Sequence, residues 1–129
     1  MRKWRLPLTY QPKVEPVLLG TCRQTIRTGR KKQVGDLIRF FLWTGRPYWS
    51  KQIDLTEYEP LVEVLNIKIV PIGIIFERGG LVPWTFMEMG RIAKLDAINP
   101  PTGAALRDVL IGKNGKIPVD GIEAQILRW

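Results

Sequence analysis

Five cations fall within ten positions of the segment 19–32 (LGTCRQTIRTGRKK): Arg23, Arg27, Arg30, Lys31 and Lys32, with no acid among them. Thr25, Ile26 and Thr28 favour an extended backbone, so Arg23 to Thr28 reads as a strand. Side chains alternate along a strand, which puts Arg23, Thr25 and Arg27 on one face and Gln24 and Ile26 on the other. Two guanidinium groups would then flank a hydroxyl, and guanidinium forks match phosphate oxygens through paired hydrogen bonds. Ile26 would enter the core from the far side. The plainer account is a solvated charged strand followed by a basic turn over Gly29 to Gly35.

A second constellation spans 43–51 (WTGRPYWSK), where Arg46 and Lys51 bracket the adjacent aromatics Tyr48 and Trp49. Gly45 and Pro47 mark the stretch as a loop. Exposed rings beside cations suit single-stranded nucleic acid, because bases stack on the rings while phosphates meet the charges. Each such stack contributes about 1–3 kcal/mol. Tyr48 is expected to be exposed. For Trp49 the alternative is burial beneath the loop.

Two carboxylates belong to a late helical stretch. Glu88 reads as a solvated helix charge. Asp96 stands near the helix end, where the macrodipole disfavours an anion, so it calls for a basic partner or a site, unless it is simply an exposed Asp before a turn. Cys22 reads first as a small buried hydrophobe. Its basic neighbours offer a second reading, a thiol of lowered pKa.

What is missing narrows the chemistry. The 129 residues contain no histidine and one cysteine. Mechanisms built on Ser-His-Asp or Cys-His are therefore excluded, as is an internal disulfide. An ordinary zinc site takes most of its ligands from Cys and His, so none is expected, and no carboxylate motif for magnesium stands out. No glycine-rich dinucleotide or Walker sequence is present, and no cofactor is expected. An enzyme built from this chain would move protons with Asp, Glu, Lys, Tyr or Cys22.

The elements that must position these groups follow from pattern. Trp4 to Tyr10 reads as a first strand, with Pro7 placing it at an edge or bulge. Pro12 to Leu19 reads as a helix of one or two turns, limited by Pro16 and ended at Gly20. Asp36 to Thr44 is a strong strand, Leu61 to Val70 another, and Ile72 to Glu77 a further candidate before a turn at Gly79-Gly80. Trp84 to Leu95 carries apolar residues at helical spacing. Asn99-Pro100-Pro101 breaks it, and Thr102 caps a second short helix that ends at Gly112. Ile122 to Trp129 closes as a strand expected to pair back with early ones. The class is α+β: a small mixed β-barrel with one or two helices flanking a cleft, as one domain over residues 1–129.

Charge is divided unevenly. Residues 1–51 hold twelve Lys or Arg and two acids, Glu15 and Asp36, for +10; residues 52–129 hold eight basic and ten acidic residues, for −2. The sum is the net +8, and the division makes a directional field that attracts polyanions. The longest apolar run, Ile69 to Phe76, is interrupted by Pro71 and Gly73 and falls far short of the roughly 20 residues of a membrane helix. The basic start Met1–Arg5 leads into no apolar signal core. A cytoplasmic location away from membranes is the expectation.

Residues 20–27 (GTCRQTIR) resemble the Gly-x-Lys-x-x-Thr-x-Arg signature of ASCH domains, many of which read Lys-Thr-Gln-Thr-Ile-Arg there. The resemblance continues through Val34-Gly35-Asp36, through Thr44–Tyr48 (TGRPY), through Ile92–Ile98 (IAKLDAI), similar to the family's helix end, and through the closing Leu127-Arg128-Trp129. It implies a PUA-like fold, a small β-barrel with helices beside an RNA-binding cleft. Some bacterial members are amidohydrolases acting on N4-acetylcytidine, and some are linked to RNA cleavage. In the amidohydrolases a Lys, a Thr and an acid do the work. The Thr corresponds to Thr25 and the acid approximately to Asp96, while the Lys position is Cys22, with Arg23 next to it.

The reading that follows is an RNA-binding module, for single-stranded RNA or a modified nucleotide, with single-stranded DNA as a possible ligand. Arg27, Arg30, Lys31 and Lys32 would meet phosphates, with Arg23, Arg46 and Lys51 beside them. Tyr48 and Trp49 would stack, and Gln24 and Thr25 would bond base or sugar. The alternatives are an N4-acetylcytidine-type amidohydrolase or metal-independent ribonuclease using Thr25, Asp96 and Cys22, and an interaction module for an acidic protein. The oligomeric state is left open.

Overall fold

The computed structural model describes residues 1–112 and 115–129, which form nine strands, three α-helices and a 3-10 turn at Gln11–Lys13. A small sheet is built on β3 (Leu37–Trp43), which pairs in parallel with β1 (Lys3–Pro7) and antiparallel with β4 (Gln52–Asp54) and β5 (Glu59–Pro60). A larger antiparallel sheet runs in the order β2 (Gln24–Arg27), β9 (Ile122–Arg128), β6 (Glu63–Val70), β7 (Gly73–Phe76), β8 (Gly80–Pro83). The class is α+β as expected. The closed barrel is not what the hydrogen bonding forms: among the described residues the strands make two sheets.

The larger sheet is a wall shared by two hydrophobic cores. In β9, Ile126 turns toward the helices and Leu127 toward the small sheet, and both are fully buried. On the helix side, Ile126 packs with Ile26, Ile67 and Ile74 against Met89 of α2 (Met87–Leu95) and Leu106 of α3 (Gly103–Ile111). On the other side, Leu127 and Trp129 pack with Leu6, Ile38, Phe40 and Leu61, and with Val17 of the single-turn α1 (Val14–Leu18). The final strand thus pairs with the early β2, as its pattern suggested, and also with β6.

Local chemistry sets the boundaries. Thr102 Oγ1 accepts from Ala105 N–H and caps α3. Gly103 lies so close to the segment that leads into α2 that a Cβ there would fall 1.8 Å from the Trp84 carbonyl oxygen, so only glycine lets α3 start at that point. The Asp36 carboxylate accepts from Arg2 N–H, Gln33 N–H and Trp4 Nε1, which holds the start of β1 beside β3.

Several expectations are corrected. β1 ends at Pro7 rather than Tyr10, though Leu8 N–H still bonds Phe41 C=O. α2 begins at Met87, with Trp84 to Phe86 leading into it. Gly80 opens β8 instead of belonging only to a turn. β4 and β5 are additions: the first is exposed and short, the second contains Pro60, and neither carries an apolar alternation. Among the described residues no helix is long and apolar enough to cross a membrane.

Candidate nucleic-acid interface

A cleft of about 540 Å³ opens beside β2, a size usual for small-molecule sites. Thr25 and Arg27 line it from β2, Asp96 from the end of α2, and Tyr10 and Lys13 from the segment between β1 and α1; Tyr48 reaches it from the 44–51 loop. Tyr10 explains how distant segments meet. Its hydroxyl accepts from Asn99 N–H at 3.2 Å, tying the chain before α1 to the loop after α2.

The floor of the cleft is charged. Lys13 Nζ lies 3.0 Å from Asp96 Oδ2, and each side chain is only 5% exposed. Asp96 Oδ1 is also buried and, among the described residues, has no hydrogen-bond partner. Burial raises the Asp96 pKa above the ordinary carboxylate value, against the pull of Lys13, then of the Gln24 side chain and, more weakly, of Arg27. Arg27 stays fixed beside it: its Nε donates to Thr25 Oγ1 at 3.1 Å, and its guanidinium lies 5.9 Å from the Phe40 ring centre. Burial pushes the Arg27 pKa down to about 10, with Asp96 opposing, so the group remains a cation at neutral pH. Two cations thus face one carboxylate, and the floor carries a net positive charge.

Above the cleft stands a braced aromatic loop. Thr44 N–H and Oγ1 both donate to Lys51 C=O at 2.9 Å, and Ser50 Oγ accepts from Gly45 N–H and donates to Arg46 C=O. The brace presents Tyr48 and Trp49 to solvent, 87% and 80% exposed. Tyr48 has a positive φ of 67° and lies 5.2 Å from the Trp43 ring, which in turn meets Phe41 edge-on at 5.4 Å. Arg46 is 5.8 Å from the Trp49 ring centre. The burial alternative for Trp49 is not what the chain adopts.

The other candidate residues divide into exposed and structural. Arg30, Lys31, Arg46 and Lys51 are exposed. Lys32 is buried, with Nζ 4.6 Å from the Trp4 ring centre, and burial first and then Arg27 lower its pKa. Its backbone exchanges two hydrogen bonds with the Gln125 side chain. Arg23 donates to Trp129 C=O at 2.6 Å and pairs with Glu59. Gln24 is buried, donating to Ile92 C=O and accepting from Arg128 Nε. Cys22 is 2% exposed in the core below the small sheet, its thiol 3.4 Å from Gln24 C=O, and burial pushes its pKa up. The structure therefore brings Thr25, Arg27, Tyr48 and Asp96 to one cleft, and leaves Cys22, Arg23, Gln24 and Lys32, and likewise Arg30, Lys31, Arg46, Trp49 and Lys51, outside its lining.

Sequence reasoning missed Lys13 and Tyr10. The one signal bearing on Lys13 was Asp96 itself, an acid at a helix end in need of a cation. Nothing near residue 13 in the sequence pointed across 83 positions to its partner.

A second cleft of about 350 Å³ lies along β6, β7 and β9. Arg27, Lys31 and Lys68 line it beside Glu77 and Glu123, so its charged lining is positive by one, as the floor of the first cleft is. No family model matches the chain, and no curated protein and no solved structure matches it either.

Proposed function

We propose that this chain is a single-stranded RNA-binding module of PUA-like, ASCH type, whose cleft takes one nucleotide while the neighbouring basic loops meet the flanking phosphates. The observation that carries the reading is the braced 44–51 loop: two aromatic rings held out in solvent, one of them leaning over a cleft with Arg27 and Lys13 at its floor. Exposing two large rings is unfavourable in water, and they have cations beside them, which is the arrangement bases and phosphates need. Arg30 and Lys31, exposed on the turn after β2, extend the positive surface. Single-stranded DNA satisfies the same stacking and charge requirements.

The test is tryptophan fluorescence and anisotropy on titration with short single-stranded RNA, matched DNA and RNA duplex, at low and high salt. Salt-sensitive binding of RNA is the expected result, through counterion release. Binding that is flat in salt, or an absence of binding, would remove the reading and shift the weight to an acidic protein partner for the basic face.

One observation favours a second reading. Lys13, Thr25 and Asp96 line a single cleft, which supplies from outside the signature a lysine that position 22 lacks. An amidohydrolase on acylated cytidine, or a metal-independent ribonuclease, would use these three. Chromatography of N4-acetylcytidine and of RNA after incubation with the protein separates the readings: deacetylation or cleavage lost in Thr25→Val supports the enzyme, and unchanged substrates support the module.

A further inference from the structure

A buried carboxylate oxygen without a donor is costly, because it has given up water and received nothing in return. Asp96 Oδ1 is such an atom: among the described residues no donor meets it in hydrogen-bond geometry, although the Gln24 side chain is near enough to favour the carboxylate, and it belongs to a side chain that lines the cleft beside β2. Its sister oxygen is occupied by Lys13. Among the described residues Lys13 Nζ makes no second ion pair, so the cleft floor offers an acceptor, Oδ1, next to an ammonium with further protons to give.

We propose that the cleft recognises one unpaired nucleobase by its Watson–Crick edge, Asp96 Oδ1 accepting a base N–H and Lys13 Nζ donating to the ring nitrogen or carbonyl beside it. This rests on the single-stranded RNA reading and states what that site reads. Every nucleobase carries on that edge an N–H next to an acceptor: the amine and ring nitrogen of cytosine and adenine, the imino N–H and carbonyl of uracil and guanine. The match is therefore to the edge rather than to one base. The same edge is used up in a duplex, so the carboxylate selects against paired strands without contacting the second one. Tyr48 leans over the opening and is placed to stack on the base face. The exposed Arg30 and Lys31 are left for phosphates, which carry no base information.

The experiment uses the full chain and short RNAs whose edge donors are blocked by methylation. A cytidine oligonucleotide is compared with the same oligonucleotide carrying N4,N4-dimethylcytidine, and a uridine oligonucleotide with its N3-methyl form. Loss of one hydrogen bond to a charged acceptor should weaken binding roughly 10- to 150-fold. In Asp96→Asn the ratio between native and blocked ligand should shrink toward one, while circular dichroism and the response to salt report whether fold and phosphate contacts persist. Blocked and native oligonucleotides binding the unaltered protein equally well would overturn the inference while leaving RNA binding intact. Failure of every oligonucleotide to bind would overturn both.

Discussion

Lys13 Nζ stands 3.0 Å from Asp96 Oδ2 at the end of α2, where the helix dipole disfavours the aspartate and favours the lysine ammonium. Both side chains are buried, so each charge depends on the other. Removing one partner leaves the other buried and uncompensated, which typically costs about 3–5 kcal/mol. Lys13→Met should lower the stability measured by urea unfolding by that order. The double variant Lys13→Met/Asp96→Leu should recover most of the loss, because two apolar side chains need no solvation. A double variant as unstable as the single one would show that the pair is not the coupled unit described.

Trp49 is exposed enough that truncation should leave the fold alone. Trp49→Ala is expected to weaken single-stranded RNA by about 1–3 kcal/mol, the contribution of one stacked base, with no shift in the thermal midpoint. Isothermal titration beside a melting curve checks both halves.

Arg30 and Lys31 should behave differently from Lys32, although the three are consecutive. The first two are exposed and the third is buried against Trp4. Neutralising Arg30 and Lys31 together should flatten the plot of log affinity against log salt by about 1.4, some 0.7 for each phosphate contact on a single strand. Lys32→Ala should instead lower the melting temperature and leave the salt slope near its original value.

Asp36 predicts the direction of the acid limb. Hydrogen bonds from Trp4, Arg2 and Gln33 hold its pKa below the ordinary 3.8. A carboxylate depressed on folding adds stability at pH values above 3.8, and that stability disappears as pH falls through the lowered folded value. Asp96, raised by burial, acts in the opposite sense: its contribution weakens the fold as pH rises above the unfolded value. Asp36→Asn should therefore destabilise the protein at neutral pH and make its melting temperature fall less steeply on acidification.

Cys22 should be silent toward thiol reagents. It is buried and its pKa is raised, so the thiolate is scarce and inaccessible. Labelling by a maleimide should follow global unfolding, rising with urea along the unfolding curve. Rapid labelling of the native protein would return Cys22 to consideration as a nucleophile.

The elements with one dominant pattern were legible in the sequence. The strand over 37–43, the paired helices and their Thr102 cap, and the short proline-limited helix are all present within a few residues. β4 and β5 were not, because strands of two or three polar residues form only where a longer partner offers free hydrogen bonds. The alternation rule also served β2 and then reached its limit. Ile26 does enter the helix-side core, but Thr25 on the opposite face is buried too, since the small sheet covers that side. Half of the cleft could be named from β2 and the aromatic loop. The other half depends on Lys13 and Tyr10, whose roles come from tertiary meetings that no local period encodes.

β9 carries a consequence for how the chain is made. Arg128 and Gln24 are 104 positions apart, yet they are paired neighbours in one sheet. Both hydrophobic cores lack their shared wall until Ile122–Arg128 has been synthesised, so a nascent chain of the earlier elements exposes β2 and β6 as unpaired edges. Folding is then expected to be slow, since its defining contacts join segments so far apart in sequence. During that interval the basic segment around β2 is free of its partners on β9, and the emerging protein depends on its high net charge to stay dispersed.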